Sequence, residues 1–209
     1  QEHLFYLFLF ILIVPNMVLC FTEPLPFMAK VANVLLPFGC YYLLMTLSRN
    51  CGKMLWILFL FLFFGAFQIV LLYLFGQSII AVDMFLNLVT TNSSEALELL
   101  DNLTPAIIAV IILYVPALIL GTISIIRKRK LTVEFIRRER KRAFLVFGIS
   151  LLSLVGAYVQ DSGYELKSDL YPLNVCYNVG LAFQRTALTQ DYHRTSKDFT
   201  FHARPTHPE

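Results

Sequence analysis

The distribution of basic residues is the feature that most constrains how this chain can fold. No Lys or Arg occurs between Lys53 and Arg127, and nine of the 17 basic residues then fall within 127–142. Apolar runs surround both stretches. Short loops rich in Lys and Arg stay on the cytoplasmic side of a membrane, and the loops on the other side lack them. The pattern therefore predicts a polytopic membrane protein with residues 127–142 in a cytoplasmic loop.

The composition supports a membrane protein and argues against a nucleic-acid partner. The chain has 209 residues, of which 57% are hydrophobic and 19 are Phe. A soluble domain of this size could not bury so much apolar surface. The positive charge is concentrated in one loop between apolar runs, which suits the anionic headgroups of the inner leaflet better than it suits nucleic acid.

Five apolar segments have about the 20 residues that a helix needs to cross the hydrocarbon of a bilayer. They cover approximately residues 4–21, 29–48, 54–75, 105–126 and 143–159. Proline inside such a helix is tolerated when neighbouring groups satisfy the freed carbonyl, so Pro37 and Pro116 predict kinks and not breaks. The predicted fold is all-α, with a five-helix transmembrane domain over residues 1–159.

The loops between these segments predict an orientation. Residues 49–53 and 127–142 are basic and should lie inside, whereas residues 77–104 carry four acidic side chains and no basic one and should lie outside. The N-terminus is then cytoplasmic. Residues 160–209 form a polar segment on the outer side, with one short amphipathic helix over 174–189 and extended chain from Asp191.

The outer loop 77–104 predicts helices of its own. Residues 78–90 are mostly apolar, and Asp83 and Asn87 lie four residues apart, which favours a helix lying in the membrane interface. Asn92 and Glu95 have the spacing of a helix N-cap and its third residue, so a short helix should follow to about residue 100. Thr104 followed by Pro105 predicts a second helix start, which opens the fourth span.

A polar stripe in this loop is the candidate binding site. Asn87, Thr91 and Glu95 follow one another at intervals of four residues, which keeps them on one side of a helix with a drift of about 40° at each step. At the outer interface they could hold a polar headgroup, with Glu95 binding an ammonium. The simpler interpretation is that Glu95 closes a capping box and the stripe is the wet face of a helix. No Gly-rich phosphate loop, Ser/His/Asp set or metal-ligand spacing occurs, so no catalytic residue and no metal ligand is predicted in this chain.

The run from Asp83 to Asp101 resembles the outer-loop signature of the lipid A phosphoethanolamine transferases. In that family, Asn, Thr and Glu at this spacing contact the donor, phosphatidylethanolamine, so the resemblance implies that Asn87, Thr91 and Glu95 bind this substrate. The plan of five spans, the long first outer loop and the outer C-terminus are similar too. The segment 171–174, Tyr-Pro-Leu-Asn, resembles the start of the family's bridging segment.

The resemblance implies an enzyme that moves phosphoethanolamine from phosphatidylethanolamine to lipid A in the inner membrane of a Gram-negative bacterium, a modification associated with polymyxin resistance. The family's catalytic domain is soluble, periplasmic and zinc-dependent, and it supplies the nucleophilic threonine. These residues are not in this sequence, so we expect the chain to be the membrane and bridging part of a longer enzyme, with no cofactor of its own. Its expected partners are phosphatidylethanolamine, the surrounding membrane lipids and, through the further domain, lipid A.

A non-enzymatic membrane protein is the alternative: a sensor, an assembly factor or a small transporter. Ionisable residues in the middle of a span mark ion paths, and the five predicted spans have essentially none, which argues against a transporter. A sensor needs a cytoplasmic output domain, and the inner loops are too short for one. The residues that follow in the gene would discriminate, because a Gly-Glu-Thr-type nucleophile motif would establish the transferase.

Overall fold

The fold is given by a computed structural model that describes residues 1–75 and 92–197, apart from some side chains near residues 75, 93–101 and 193–197. The described part contains eight helices and no strand, which confirms the all-α prediction. In chain order these helices are α1 (Glu2–Thr22), α2 (Phe27–Met45), α3 (Cys51–Ile57), α4 (Phe59–Phe75), α5 (Ser93–Ile126), α6 (Val133–Gln160), α7 (Leu166–Asp169) and α8 (Leu173–Lys197).

Four helical segments in the described residues are long and apolar enough to cross a membrane, namely α1, α2, the Asn102–Ile126 part of α5, and α6. Helices α3 and α4 together also pass this test, although they are bent at a break. The described residues thus contain four candidate spans, or five if the bent pair counts as one. An all-α polytopic membrane protein is the architecture that these helices support.

The prediction of a single unbroken helix over 54–75 was wrong, although α3 and α4 together can still form the predicted span. Helix α3 starts earlier, at Cys51, and is separated at Leu58 from α4, with a bend of 63° between them. No Pro or Gly lies between Lys53 and Phe64, so the sequence carries no signal for this bend. Contacts with α5 hold α3 in its direction. Its Trp56 Nε1 donates a hydrogen bond of 3.1 Å to the hydroxyl of Thr122.

The predicted division of residues 92–126 into two helices was wrong as well. The helix start after Asn92 is confirmed, but α5 then runs without interruption through Thr104 and Pro105 to Ile126. A proline inside a membrane helix is tolerated where neighbouring groups satisfy the carbonyl that loses its partner, so Pro105 does not end the helix. Helices α2 and α5 also continue through Pro37 and Pro116, as predicted.

The basic stretch 127–142 is only partly a loop. Residues 127–132 connect α5 to α6, and α6 already begins at Val133. The hydroxyl oxygen of Thr132 caps it by accepting a hydrogen bond of 3.2 Å from the backbone N–H of Phe135. Arg and Lys favour helix, so the second half of the stretch extends the fifth span at its inner end.

Helices α2 and α6 share the largest helix interface in the described structure. Small residues allow the two backbones to approach: Ala29, Ala32 and Ala157 are fully buried, and Gly39 lies against the backbone of Phe147. Small residues at such contacts are the usual means of bringing helices together in a membrane, where lipid is as apolar as Leu.

The two basic segments lie at the same end of the bundle, as the predicted alternation of loops requires. Leu131 N donates to Arg49 O at 2.7 Å, and Arg49 Nε donates to Leu131 O at 2.8 Å. Ser124 Oγ donates to the side chain of Gln1 at 3.3 Å, so the start of α1 lies there too. We call this the inner end, and that it faces the cytoplasm stays a prediction from charge.

The tail contains the predicted helix, and this helix is longer than expected. Helix α8 covers Leu173–Lys197, so the prediction of extended chain from Asp191 was wrong as far as residue 197. The remaining residues, 198–209, and the predicted interfacial helix 78–90 lie outside the described residues.

Candidate functional site

The predicted substrate-binding residues fall largely outside the described structure. Asn87 and Thr91 are not among the described residues, and of Glu95 only the backbone is described. Glu95 lies in the first turn of α5, three residues after Asn92 at the N-cap position. The Asn92 side-chain oxygen accepts a hydrogen bond of 2.8 Å from the hydroxyl of Ser94.

The backbone of α5 places Glu95 before the apolar part of the helix. The portion Asn102–Ile126 is long and apolar enough to cross a membrane. Glu95 precedes Asn102 by seven residues in the same helix, which is about 10 Å along the axis at 1.5 Å per residue.

Asn16, which sequence reasoning did not identify, is the centre of a polar cluster at the outer end. It lies on α1 and is 2% exposed. Its amide nitrogen donates hydrogen bonds to Tyr171 O at 2.7 Å and to Asn33 O at 3.1 Å. The one available signal was the amide itself within an apolar helix, because polar groups inside a span are costly and usually have a specific partner.

Asn33 on α2 makes the second connection of this cluster. Its amide nitrogen donates to Asp169 O at 2.8 Å, and its side-chain oxygen accepts a hydrogen bond from the hydroxyl of Tyr164. Tyr164 is 2% exposed and packs with Ala157 of α6. Asn16 and Asn33 thus hold the segment between α6 and α8 against the outer ends of α1 and α2.

Residues Tyr171 and Asn174, in the segment that resembles the start of the family's bridging segment, are buried in the bundle. A Cβ on Gly65 would lie 2.8 Å from the Tyr114 hydroxyl and 3.4 Å from the Tyr171 hydroxyl, so both hydroxyls converge on that glycine. Neither hydroxyl, nor the Asn174 amide, makes a hydrogen bond within the described structure. Burial raises the pKa of Tyr164 and of Tyr171 above the usual range, so both are neutral hydroxyls at physiological pH.

The cleft beside this cluster is small. Asn16, Asn33, Asp169 and Tyr171 line it together with Glu23 and Lys30, and its enclosed space is about 10 Å³. That is room for roughly one water molecule. In this conformation the outer cluster therefore fixes the tail segment and has no room for a lipid headgroup.

The inner end contains a charged cluster around Glu139. This carboxylate is fully buried, and its Oε1 lies 3.0 Å from Arg138 Nε and 3.0 Å from Arg142 Nη1. The Tyr42 hydroxyl donates a hydrogen bond to its second oxygen. The two Arg side chains are 54% and 57% exposed, so Glu139 joins α2 to α6 while the cations keep contact with water.

The described residues offer no ligand set for a metal. No group of three or more His, Cys, Asp or Glu side chains comes together within 1–75 and 92–197. The zinc that the family resemblance implies therefore has no site among these residues.

Comparisons of the chain with protein-family models, curated proteins and solved structures found no match.

Proposed function

We propose that this chain is the membrane and donor-binding part of an enzyme that transfers phosphoethanolamine from phosphatidylethanolamine to lipid A. The observation that supports the proposal is the pattern Asn87, Thr91, Glu95 leading into a helix that continues into a membrane span. In this proposal the last member of the pattern lies at headgroup depth, where a donor lipid is accessible from the side.

The three side chains match the chemistry of a phosphoethanolamine headgroup. The Glu95 carboxylate can accept charge-assisted hydrogen bonds from the ammonium, which are roughly twice as strong as neutral ones. The Asn87 amide and the Thr91 hydroxyl can donate to phosphate or ester oxygens. This chain would select and orient the donor, and the bond-making groups belong, by resemblance, to a further domain outside the membrane.

The outer polar cluster supports the same proposal through the tail. Asn16 and Asn33 tie the segment ending at Tyr171 to two membrane helices, so the chain leaves the bundle in a defined direction. A catalytic domain connected through such a fixed segment would stay close to the outer surface, where donor and acceptor lipids meet it.

The test uses the full-length natural protein expressed in Gram-negative cells, with mass spectrometry of lipid A as the measurement. We expect Glu95→Gln to lower transfer by about 10- to 100-fold, the equivalent of losing a hydrogen bond to a charged group. Helix stability should be unaffected, because Gln also serves at the third helical position of a capping box. Asp101→Asn removes the same charge six residues further along α5, about 120° away around the helix, and should leave transfer unchanged.

Asn87→Ala provides a second, independent test. Loss of a donor to the phosphate should lower transfer by roughly fivefold to tenfold without changing the amount of protein in the membrane. Full transfer in both Glu95→Gln and Asn87→Ala would reject the headgroup site and leave Glu95 as a capping residue. A wild-type protein that adds no phosphoethanolamine to lipid A would favour the non-enzymatic alternative.

A further inference from the structure

A basic groove opens at the inner end of the bundle, beside the charged cluster. Four cationic side chains line it, from Arg49, Arg137, Arg140 and Lys141, together with the apolar side chains of Val133 and Phe144. Its volume is about 420 Å³, large enough for a phospholipid headgroup. We propose that this groove binds the phosphate of an anionic phospholipid from the inner leaflet.

The charge of the groove is not compensated by the protein. Among the described residues, no carboxylate lies within ion-pair distance of these four cations, whereas Arg138 and Arg142 are paired with Glu139. Several uncompensated cations close together create a positive potential that attracts an anion. The groove thus differs in kind from the neighbouring Glu139 cluster, whose charges are largely balanced.

Two of the guanidinium groups are held in position by backbone carbonyls. Arg140 Nη2 donates to Thr46 O at 2.7 Å, and Arg49 Nε donates to Leu131 O at 2.8 Å. A guanidinium has five N–H donors, so each group keeps donors for a phosphate after making its one bond to a carbonyl. Prior fixing of the donors lowers the entropic cost of binding.

The apolar part of the groove favours a lipid over a free phosphate ion. Arg137, Arg140 and Lys141 have the spacing that places side chains on one face of α6, and Phe144 follows one turn later on the same face. Phe144 is 60% exposed and points away from the core. A lipid whose phosphate meets the cations can lay its acyl chains along this apolar continuation, which an inorganic ion cannot use.

The experiment is a lipid titration of the purified chain in mild detergent, followed by native mass spectrometry. Phosphatidylglycerol is the anionic probe, and phosphatidylcholine with matched acyl chains is the zwitterionic control. The groove variant is Arg137→Gln with Lys141→Gln. The charge-matched control is Arg127→Gln with Lys130→Gln, two exposed residues in the connection before α6 that do not line the groove.

We expect phosphatidylglycerol to bind the unmodified chain at least tenfold more tightly than phosphatidylcholine. The groove variant should bind it roughly 30-fold more weakly, since each cation near an anionic surface contributes about a fivefold change. The control variant should change binding by less than about threefold. All four side chains are exposed, so the melting temperature without added lipid should be the same for the three proteins.

A variant that keeps every charge tests the lipid assignment separately. Phe144→Ser should weaken phosphatidylglycerol binding by about fivefold through lost contact with the acyl chains. Equal losses in the two double variants, or equal binding of the two lipids, would overturn the proposal in favour of diffuse surface charge. Competition by inorganic phosphate at a concentration similar to that of the lipid would overturn it in favour of a free-anion site.

Discussion

The two ends of the bundle are held together by different kinds of polar interaction. At the inner end, the buried Glu139 carboxylate of α6 joins this helix to α2 through the Tyr42 hydroxyl and pairs with two Arg side chains of α6. At the outer end, the neutral amides of Asn16 and Asn33 hold the tail through backbone carbonyls and one tyrosine hydroxyl. Glu139 is also the one charged residue that is buried among those the structure describes.

This difference follows from what each end must do. Burying an ion has a large desolvation cost unless its partners are well placed. A buried charged cluster therefore has a tolerable cost only where the partner charges still contact water. Arg138 and Arg142 do so. A neutral amide has a smaller desolvation cost, and it can both donate and accept hydrogen bonds. These properties allow it to hold a polar chain segment against apolar helices.

The largest expected effect tests the inner cluster. Glu139→Ala should lower the free energy of unfolding by about 2–3 kcal/mol, which is below the usual cost of breaking a fully buried pair because the two Arg side chains regain water. Chemical unfolding in detergent measures it. Glu134→Ala, five residues earlier on α6 and exposed, should cost less than about 1 kcal/mol. Equal costs would mean that charge on α6 matters in general and the buried cluster does not.

Glycine substitutions compare the close helix contacts at the two ends. A Cβ at Gly52 would lie 2.2 Å from the carbonyl oxygen of Gly121, which is backbone and cannot move aside, so Gly52→Ala should cost about 1–3 kcal/mol. At the outer end, a Cβ at Gly156 would meet the flexible tip of Met28 at 2.6 Å. Gly156→Ala should therefore be close to neutral in the same unfolding measurement.

Gly148→Ala is the reference for both substitutions, because nothing lies within 4 Å of a Cβ at that position. It should stabilise the protein by up to about 0.5–1 kcal/mol through helix propensity alone. A Gly52→Ala protein as stable as this reference would contradict the backbone contact between α3 and α5.

The third prediction concerns the outer cluster. Asn33→Ala removes one donor and one acceptor and should lower the free energy of unfolding by about 1–2 kcal/mol. It should also release the tail, because Asp169 and Tyr164 lose their bonds to α2. Limited proteolysis within 161–172 should become faster, whereas in Glu139→Ala it should not. Asn102→Ala, at an exposed position of α5, is the matched control.

The smallest effect is a pH dependence measured at the outer end. Burial raises the pKa of Tyr164, so the folded chain keeps a proton that the unfolded chain loses near pH 10. The corresponding stability is fully present below about pH 10 and is lost as the pH rises above it, by less than about 1 kcal/mol at a pH of about 10.5. Tail proteolysis measured from about pH 8 to about pH 10.5 should show this loss. Tyr164→Phe should reduce it, and Tyr177→Phe, an exposed control, should not.

Sequence reasoning succeeded where a single stretch of chain determines the structure. Apolar length predicted both ends of α1 and α2 and the C-terminal end of α6 to within a few residues, and Asn92 marked the start of α5. It failed where tertiary contacts decide. The bend at Leu58 has no local cause, and Pro105 looked like a helix start because a proline at the first turn and one inside a helix share the same local pattern.

The outer cluster was missed for a related reason. Asn16 was visible as a polar residue in an apolar run, but its partner Tyr171 lies 155 positions further along the chain. No spacing rule connects residues so far apart. The basic groove was predicted only in part. The sequence predicted a cationic inner surface, but it did not show that hydrogen bonds to backbone carbonyls would hold Arg49 and Arg140 beside the same groove.

The pairing of α2 with α6 has a consequence for how the protein assembles during its synthesis. Helix α2 ends at Met45, and α6 begins only at Val133. A ribosome adding roughly 5–20 residues per second needs several seconds to make the chain between them. Throughout that interval the hydroxyl of Tyr42 lacks its final partner, Glu139, and the side chain of Asn33 lacks Tyr164 and Asp169 for longer still. Early intermediates of this protein should therefore depend on the insertion machinery, or on temporary contacts with α1, until α6 and the segment after it have been made.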